Sequence, residues 1–452
     1  MPTQLPPVLV SGAFPDESAT VAMQYLTLQT APPGARIVAY EGALFAIFFY
    51  QSGMFKIYVS KSTDGGLNWT ALDTSHAPAP NSQSNGAVSS VVQQGSKLHL
   101  VLNHQTVSGP TRTYEIRIYT FDMKEGVEAW VSGYVAGATD SINGTAPWLA
   151  DAILRGANEI VVLRRMSLAA YGGAIDIYDT VSATWTTTAL PVLDGSGSFM
   201  ASEVEALIWD GTYTHIIGGL QLSNGTLPTQ RLHVTMDGAN SLGTEVNMLT
   251  SIQGGWVDPV LIAGDPHESD YRNAYSHRVF PIIYGGKVYA FQDGAFSSSG
   301  WNSANKEIIA WTWPVGLAAP TISSEEVAMG TGTNRQFWPI PLIANGALTC
   351  LYIEDLAGNY YNGTAKYRAR IAGAWGSAVT FYDYQTNPPA GDNTSTNVNT
   401  LELSPILDSN SGTGFSALAT LGYTYTRTVW FLSSEGCPGS DPSPATPRGV
   451  RY

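Results

Sequence analysis

One unit recurs along this chain, and a recurring unit that cannot bury its own apolar face limits the folds open to it. It is a short apolar strand, a turn carrying Gly or Asn, and a second, strongly apolar strand. The first pairs are Arg36–Tyr40 with Leu44–Phe48, Val88–Val92 with Leu98–Leu102, and Ala152–Leu154 with Ile160–Leu163. Glu205–Ile208 pairs with Thr214–Ile217, Val279–Ile283 with Lys287–Phe291, Ile340–Ile343 with Ala347–Leu351, and Leu403–Ile406 with Phe415–Ala419. Seven modules result, spaced by about 50 to 75 residues. Further strands follow at Lys56–Ser60, Tyr114–Tyr119, Ala174–Tyr178 and Tyr367–Ile371, with the period-two alternation of half-wet sheets. Radial stacking of such sheets gives a β-propeller. The expected fold is therefore all-β, a seven-bladed β-propeller, with a six-bladed propeller plus an accessory sheet as the alternative.

The last module lacks an outer strand, and the segment Ala22–Leu28 is expected to supply it and close the ring. Residues 1–19 read as a Pro-rich arm, 20–435 as one propeller domain, and 436–452 as a Pro-rich tail. A tight hairpin is expected at Ser62-Thr63-Asp64-Gly65-Gly66-Leu67-Asn68-Trp69. Ser62 and Asp64 can accept bonds from turn N–H groups, the glycines supply backbone freedom, and Trp69 packs its ring on the next strand. Trp130, Trp185 and Trp375 take the place of Trp69 in later modules that have lost the rest of the pattern.

This Ser-x-Asp-x-Gly-x-x-Trp pattern resembles the Asp-box, or BNR repeat, of sialidases and related β-propellers. In those families the box lies at a blade rim, so the resemblance assigns Ser62, Asp64, Gly66 and Trp69 a structural role. Arg36-Ile37, opening the module that carries the box, is similar to the first sialidase blade, where an Arg-Ile-Pro motif grips the substrate carboxylate. Val38 stands at the third position here. The resemblance implies that Arg36, Arg278 and Arg335, all near heads of inner strands, converge on one carboxylate. It also implies a nucleophile at Tyr275, beside Ser276, with Glu203 or Glu205 as activator. The acid/base Asp of the family has no counterpart between Asn81 and Gly86.

Composition narrows the partners. The net charge is −14, charged residues are 13% of the chain, and no Lys/Arg run occurs. Phosphate backbones and anionic membranes need clustered cations, so neither nucleic acid nor membrane is expected as a partner. Residues 1–7 carry neither a basic nor an apolar signal region, and no apolar run is long enough to span a bilayer. The expected location is a virion, or the cell exterior reached without a Sec signal. Cys350 and Cys437 are too few for a disulfide framework, and whether they pair is not legible.

Two further groups stand out. Between Asp258 and Arg278 the chain gathers Asp265, His267, Glu268, Asp270, Arg272 and His277. Asp265, Glu268 and Asp270 offer oxygen ligands suited to Ca²⁺, the one cofactor considered, against the reading of a solvated loop. Trp256, Tyr271 and Trp301, set among Gly, Ser and Asn, suit the faces of sugar rings or else pin long loops. No phosphate loop, nucleophile elbow or zinc motif is present in the sequence. The expected function is non-catalytic recognition on a phage or other virus particle, as a tail, fibre or surface protein. Its partners would be glycans or neighbouring virion subunits within a larger symmetric assembly. The rival is an exo-sialidase-like glycosidase.

Overall fold

The computed structural model describes residues 8–9, 36–52, 54–72, 89–108, 111–142, 149–165, 173–190, 197–200, 206–222, 230–248, 256–257, 279–296, 306–328, 334–344, 346–356, 364–383, 402–404, 416–423 and 426–433. Every named element is a β-strand. β1 (Val8–Leu9) is followed by a first blade of β2 (Arg36–Tyr40), β3 (Ala43–Ser52), β4 (Met54–Ser62) and β5 (Thr70–Ala71). The second holds β6 (Ser89–Gln94), β7 (Lys97–Ser108), β8 (Thr111–Asp122), β9 (Ala129–Trp130) and β10 (Val135–Ile142). The third holds β11 (Leu149–Arg155), β12 (Glu159–Arg165), β13 (Gly173–Asp179) and β14 (Thr184–Ala189).

In the fourth, β15 (Gly197–Met200) and β16 (Ala206–Trp209) both pair with β17 (Thr214–Leu222), and β18 (Gln230–Met236) and β19 (Val246–Asn247) follow. The fifth repeats that plan: β20 (Trp256–Val257) and β21 (Phe280–Tyr284) share β22 (Lys287–Phe296), with β23 (Lys306–Pro314) and β24 (Ser323–Ala328) outside. The sixth holds β25 (Asn334–Ala344), β26 (Ala347–Leu356), β27 (Thr364–Ile371), β28 (Ala374–Trp375) and β29 (Val379–Asp383). A remaining sheet, ordered β1-β32-β31-β30, joins β30 (Glu402–Ser404), β31 (Ser416–Tyr423) and β32 (Thr426–Ser433) to the first strand of the chain.

The molecule is thus a six-bladed all-β propeller with an accessory sheet, and the expectation of seven blades is corrected. Six sheets are each built from one unbroken stretch of chain. Among the described residues the seventh module supplies three strands, its inner one three residues long, and the fourth comes from the opposite end of the chain. This accessory sheet sits where β30 approaches β25 and β31 approaches β2. The strand paired with β32 is Val8–Leu9. Ala22–Leu28, expected in that role, lies outside the described residues.

Alternating apolar residues become the cores between blades. Val38, Phe45, Ile47, Ile57 and Val59 of the first blade meet Leu98, Leu100, Leu102, Phe121 and Trp130 of the second. Val161, Ile175 and Ile177 meet Leu207, Ile216 and Val234 between the third and fourth. Phe280, Phe291 and Ala310 meet Cys350 and Tyr352 between the fifth and sixth. Cys350 is buried and free, with its thiol pushed up by burial.

The Ser62–Trp69 turn joins the third and fourth strands of the first blade. Gly66 N–H donates to Ser62 Oγ at 2.9 Å, and Ser62 Oγ donates to Asp64 at 2.8 Å. Asn68 donates to Asp64 from its backbone N–H at 2.9 Å and its side chain at 2.7 Å, and Trp69 Nε1 donates to Gly66 O at 3.0 Å. Burial pushes the Asp64 carboxyl up, but the bonds from Asn68 and Ser62 outweigh it and hold the group low. Gly65 and Gly66 take φ of 73° and 91°, which a Cβ would strain.

Candidate functional site

All inner strands run the same way about the axis, so their first residues mark one end of the propeller, here called the upper end. Arg36 is the first residue of β2 and Arg335 the second of β25, opposite Asp355. Trp256 opens β20 opposite Phe296. The upper end therefore gathers the backbones of two of the three expected arginines and one expected aromatic. Arg278, Tyr275, Glu203, Glu205, Tyr271, Trp301, Asp265, Glu268 and Asp270 lie outside the described residues. Residues 258–279 connect β20 to β21, two pieces of one interrupted inner strand. Among the described residues, no group of His, Cys, Asp and Glu is arranged to hold a metal ion.

Several of the charged side chains described near this end are paired within the blades. Arg164 on β12 forms an ion pair with Asp176 of β13, which is fully buried and also accepts Thr187 Oγ1–H at 2.6 Å. Lys366 on β27 pairs with Glu354 of β26, whose other oxygen accepts Gln336 Nε2–H from the inner strand at 3.2 Å. On β8, Arg117 Nε donates to Glu115 at 2.5 Å. Asp151, third residue of β11 and 8% exposed, accepts Ala152 N–H at 2.9 Å and, across the seam, Leu207 N–H of β16 at 3.0 Å. A carboxylate tied to backbone donors of two blades clamps them together.

Sequence reasoning missed a second polar cluster, at the lower end between the fourth and fifth blades. Asp210, in the turn from β16 to β17, accepts His215 Nε2–H at 2.9 Å and the backbone N–H groups of Thr212, Tyr213 and Gly316 at 2.8, 2.7 and 2.6 Å. Trp313 Nε1–H, a donor only, points at His215 Nδ1 from 3.2 Å, and His233 Nε2 lies 2.9 Å from that same atom. Asp210 and Trp313 thus fix the His215 tautomer, with the proton on Nε2. His215 and His233 are 0% and 1% exposed. Burial, then the neighbouring His215, hold His233 down at about 3. Burial would raise the Asp210 carboxyl, but the bonds from His215 and the three N–H groups keep it far below the usual range. The residues of this cluster come from positions 210 to 316, and no local spacing announces it.

Also missed was the strip of Glu115, Arg117 and Tyr119 on β8 with Tyr134 beside it. The alternation at Tyr114–Tyr119 marked the strand, not the face that meets solvent.

Neither a family model nor a curated protein matches the sequence. Its structural neighbours include sialidase- and neuraminidase-like β-propellers. Trypanosoma rangeli sialidase in complex with sialic acid is 13% identical, with a TM-score of 0.41, over 77% of this chain and 55% of its own. A neuraminidase-like protein from A/bat/Guatemala/164/2009 is 14% identical with a TM-score of 0.41, over 73% and 84%. The β-propeller domain of the Trilobed protease from Pyrococcus furiosus is 7% identical with a TM-score of 0.42, over 92% and 99%. The chain thus spans little more than half the length of the trypanosomal sialidase. At these identities the likeness concerns the fold alone.

Proposed function

We propose that this protein is a non-catalytic recognition propeller that binds glycan, as a component of a phage or virus particle. The observation that supports the non-catalytic part is the internal pairing of several charged groups among the described residues near the upper end. Arg164 is matched by Asp176, Lys366 by Glu354, and Asp151 is bonded to two backbone N–H groups. Hydrolysis needs an acid or base free to exchange a proton with substrate, and groups committed to such bonds are poor candidates. An acidic, charge-poor chain suits a particle surface, where solubility does not rest on charge. The hydrolase reading keeps one supporting observation, the placement of Arg36 and Arg335 at heads of inner strands.

A glycan array probed with the full chain tests the recognition claim. Selective binding to a family of glycans is expected, and an array with no binder sinks the claim. Native mass spectrometry tests the particle component: symmetric oligomers are expected, and a monomer at all concentrations counts against it.

A further inference from the structure

The face of the second blade that looks towards the first changes character along one strand. Phe121, Tyr119, Arg117 and Glu115 alternate onto it from β8. Phe121 is fully buried, edge-on to Trp130, in the core shared with the first blade. Further up, the Arg117 and Glu115 side chains are 17% and 22% exposed. The two blades differ at their rims: β5 has two residues and β10 has eight. Among the described residues, the first blade therefore sets no outer strand against the upper half of β8.

Tyr134 stands at the edge of this groove and is 45% exposed. The Arg117 guanidinium lies 4.1 Å from the centre of its ring, and Tyr119 tilts against it at 5.5 Å. Arg117 is in turn held by Glu115 at 2.5 Å. The groove thus presents an aromatic ring beside an ion pair of zero net charge. His104, across the strands from Glu115, is held below the usual histidine range by burial and then by Arg117, so it adds no charge near neutrality.

A flat ring beside paired donors and acceptors fits a sugar ring, whose C–H face stacks while its hydroxyls both give and take hydrogen bonds. Among the described residues an anionic sugar finds no uncompensated cation here, because Glu115 is paired with Arg117 and Glu128 with Lys61. We propose that the groove between the first and second blades binds a neutral hexopyranose, with Tyr134 as stacking platform and Glu115 and Arg117 as hydroxyl partners. This rests on the glycan-recognition reading and names its subsite and ligand class.

The test takes the strongest neutral glycan from the array and titrates it calorimetrically into wild type, Tyr134→Ala, Tyr134→Phe and Glu115→Gln. Tyr134→Ala should weaken binding about tenfold or more with Tm unchanged, and Tyr134→Phe should stay within about twofold. Glu115→Gln should weaken it about tenfold through the lost charged acceptor. Undiminished binding by Tyr134→Ala, or an array with only sialylated hits, overturns the subsite and leaves glycan recognition standing. An array with no glycan bound by wild type overturns both.

Discussion

The seam between the fourth and fifth blades and the groove between the first and second use similar side chains to opposite effect. In the seam, His215, His233 and Trp313 interlock out of reach of water, and Asp210 at their edge is bonded to four donors from two blades. In the groove, Glu115, Arg117 and Tyr134 make one ion pair and two ring contacts, and Tyr134 is exposed while the other two are partly so. Burial separates the two roles. A polar cluster sealed between sheets fixes how blades meet, because breaking it strands desolvated groups. The same chemistry at a partly exposed rim contributes less to folding and keeps some access to a ligand.

The largest expected effect is at the seam. Asp210→Ala leaves His215 and three N–H groups without their acceptor, and a loss of about 3–5 kcal/mol is expected, read as a fall in Tm. A Tm equal to wild type would mean that the seam is not what holds these blades.

Acid should strain the seam at His233 and, separately, the second blade at His99, a buried β7 residue whose ring nitrogens lie 2.9 Å from Gln94 Oε1 and 3.1 Å from Thr120 Oγ1. Unfolded, each imidazole takes up a proton as pH falls through 6.5; folded, His99 and His233 stay neutral until about 4 and about 3. Burial is the main cause in both, followed by Lys97 for His99 and His215 for His233. Protons therefore favour the unfolded chain across that window, and stability falls as pH falls. Between pH 7.5 and 5 each histidine should cost about 2 kcal/mol. Thermal melts across this range check it, and a flat Tm would contradict the buried, neutral state of the rings.

Smaller effects belong to exposed structure. Asp64→Ala removes the acceptor of the 62–69 turn and should cost about 1 kcal/mol, with faster amide exchange at Gly66 and Asn68. Tyr134→Ala should change stability by less than about 0.5 kcal/mol. A larger loss would move Tyr134 from the ligand side of the comparison to the structural side.

The part of this contrast that is local was legible in the sequence. The 62–69 turn follows from residues within a few positions of one another, and strand pairs such as Val38–Phe45 show their period directly. The blade count was not, because the sheet holding β30 to β32 is completed by Val8 and Leu9 from the far end of the chain. The seam was hidden for the same reason: Asp210 meets Gly316 only once two blades have packed. Glu115 and Arg117 were visible as alternating residues, but which face of β8 keeps some access to solvent depends on how the first blade packs against the second. Of the expected site residues, Arg36 and Arg335 were placed at strand heads by the repeat, whereas most of the others stand in stretches of sequence that carry no period.

Turnover of a fluorogenic sialoside by the full chain, beside Arg36→Ala, tests the non-catalytic account most directly. No release of fluorophore above buffer from either protein is the predicted result. Release by the wild type that disappears in Arg36→Ala would contradict it and make the upper end an active site.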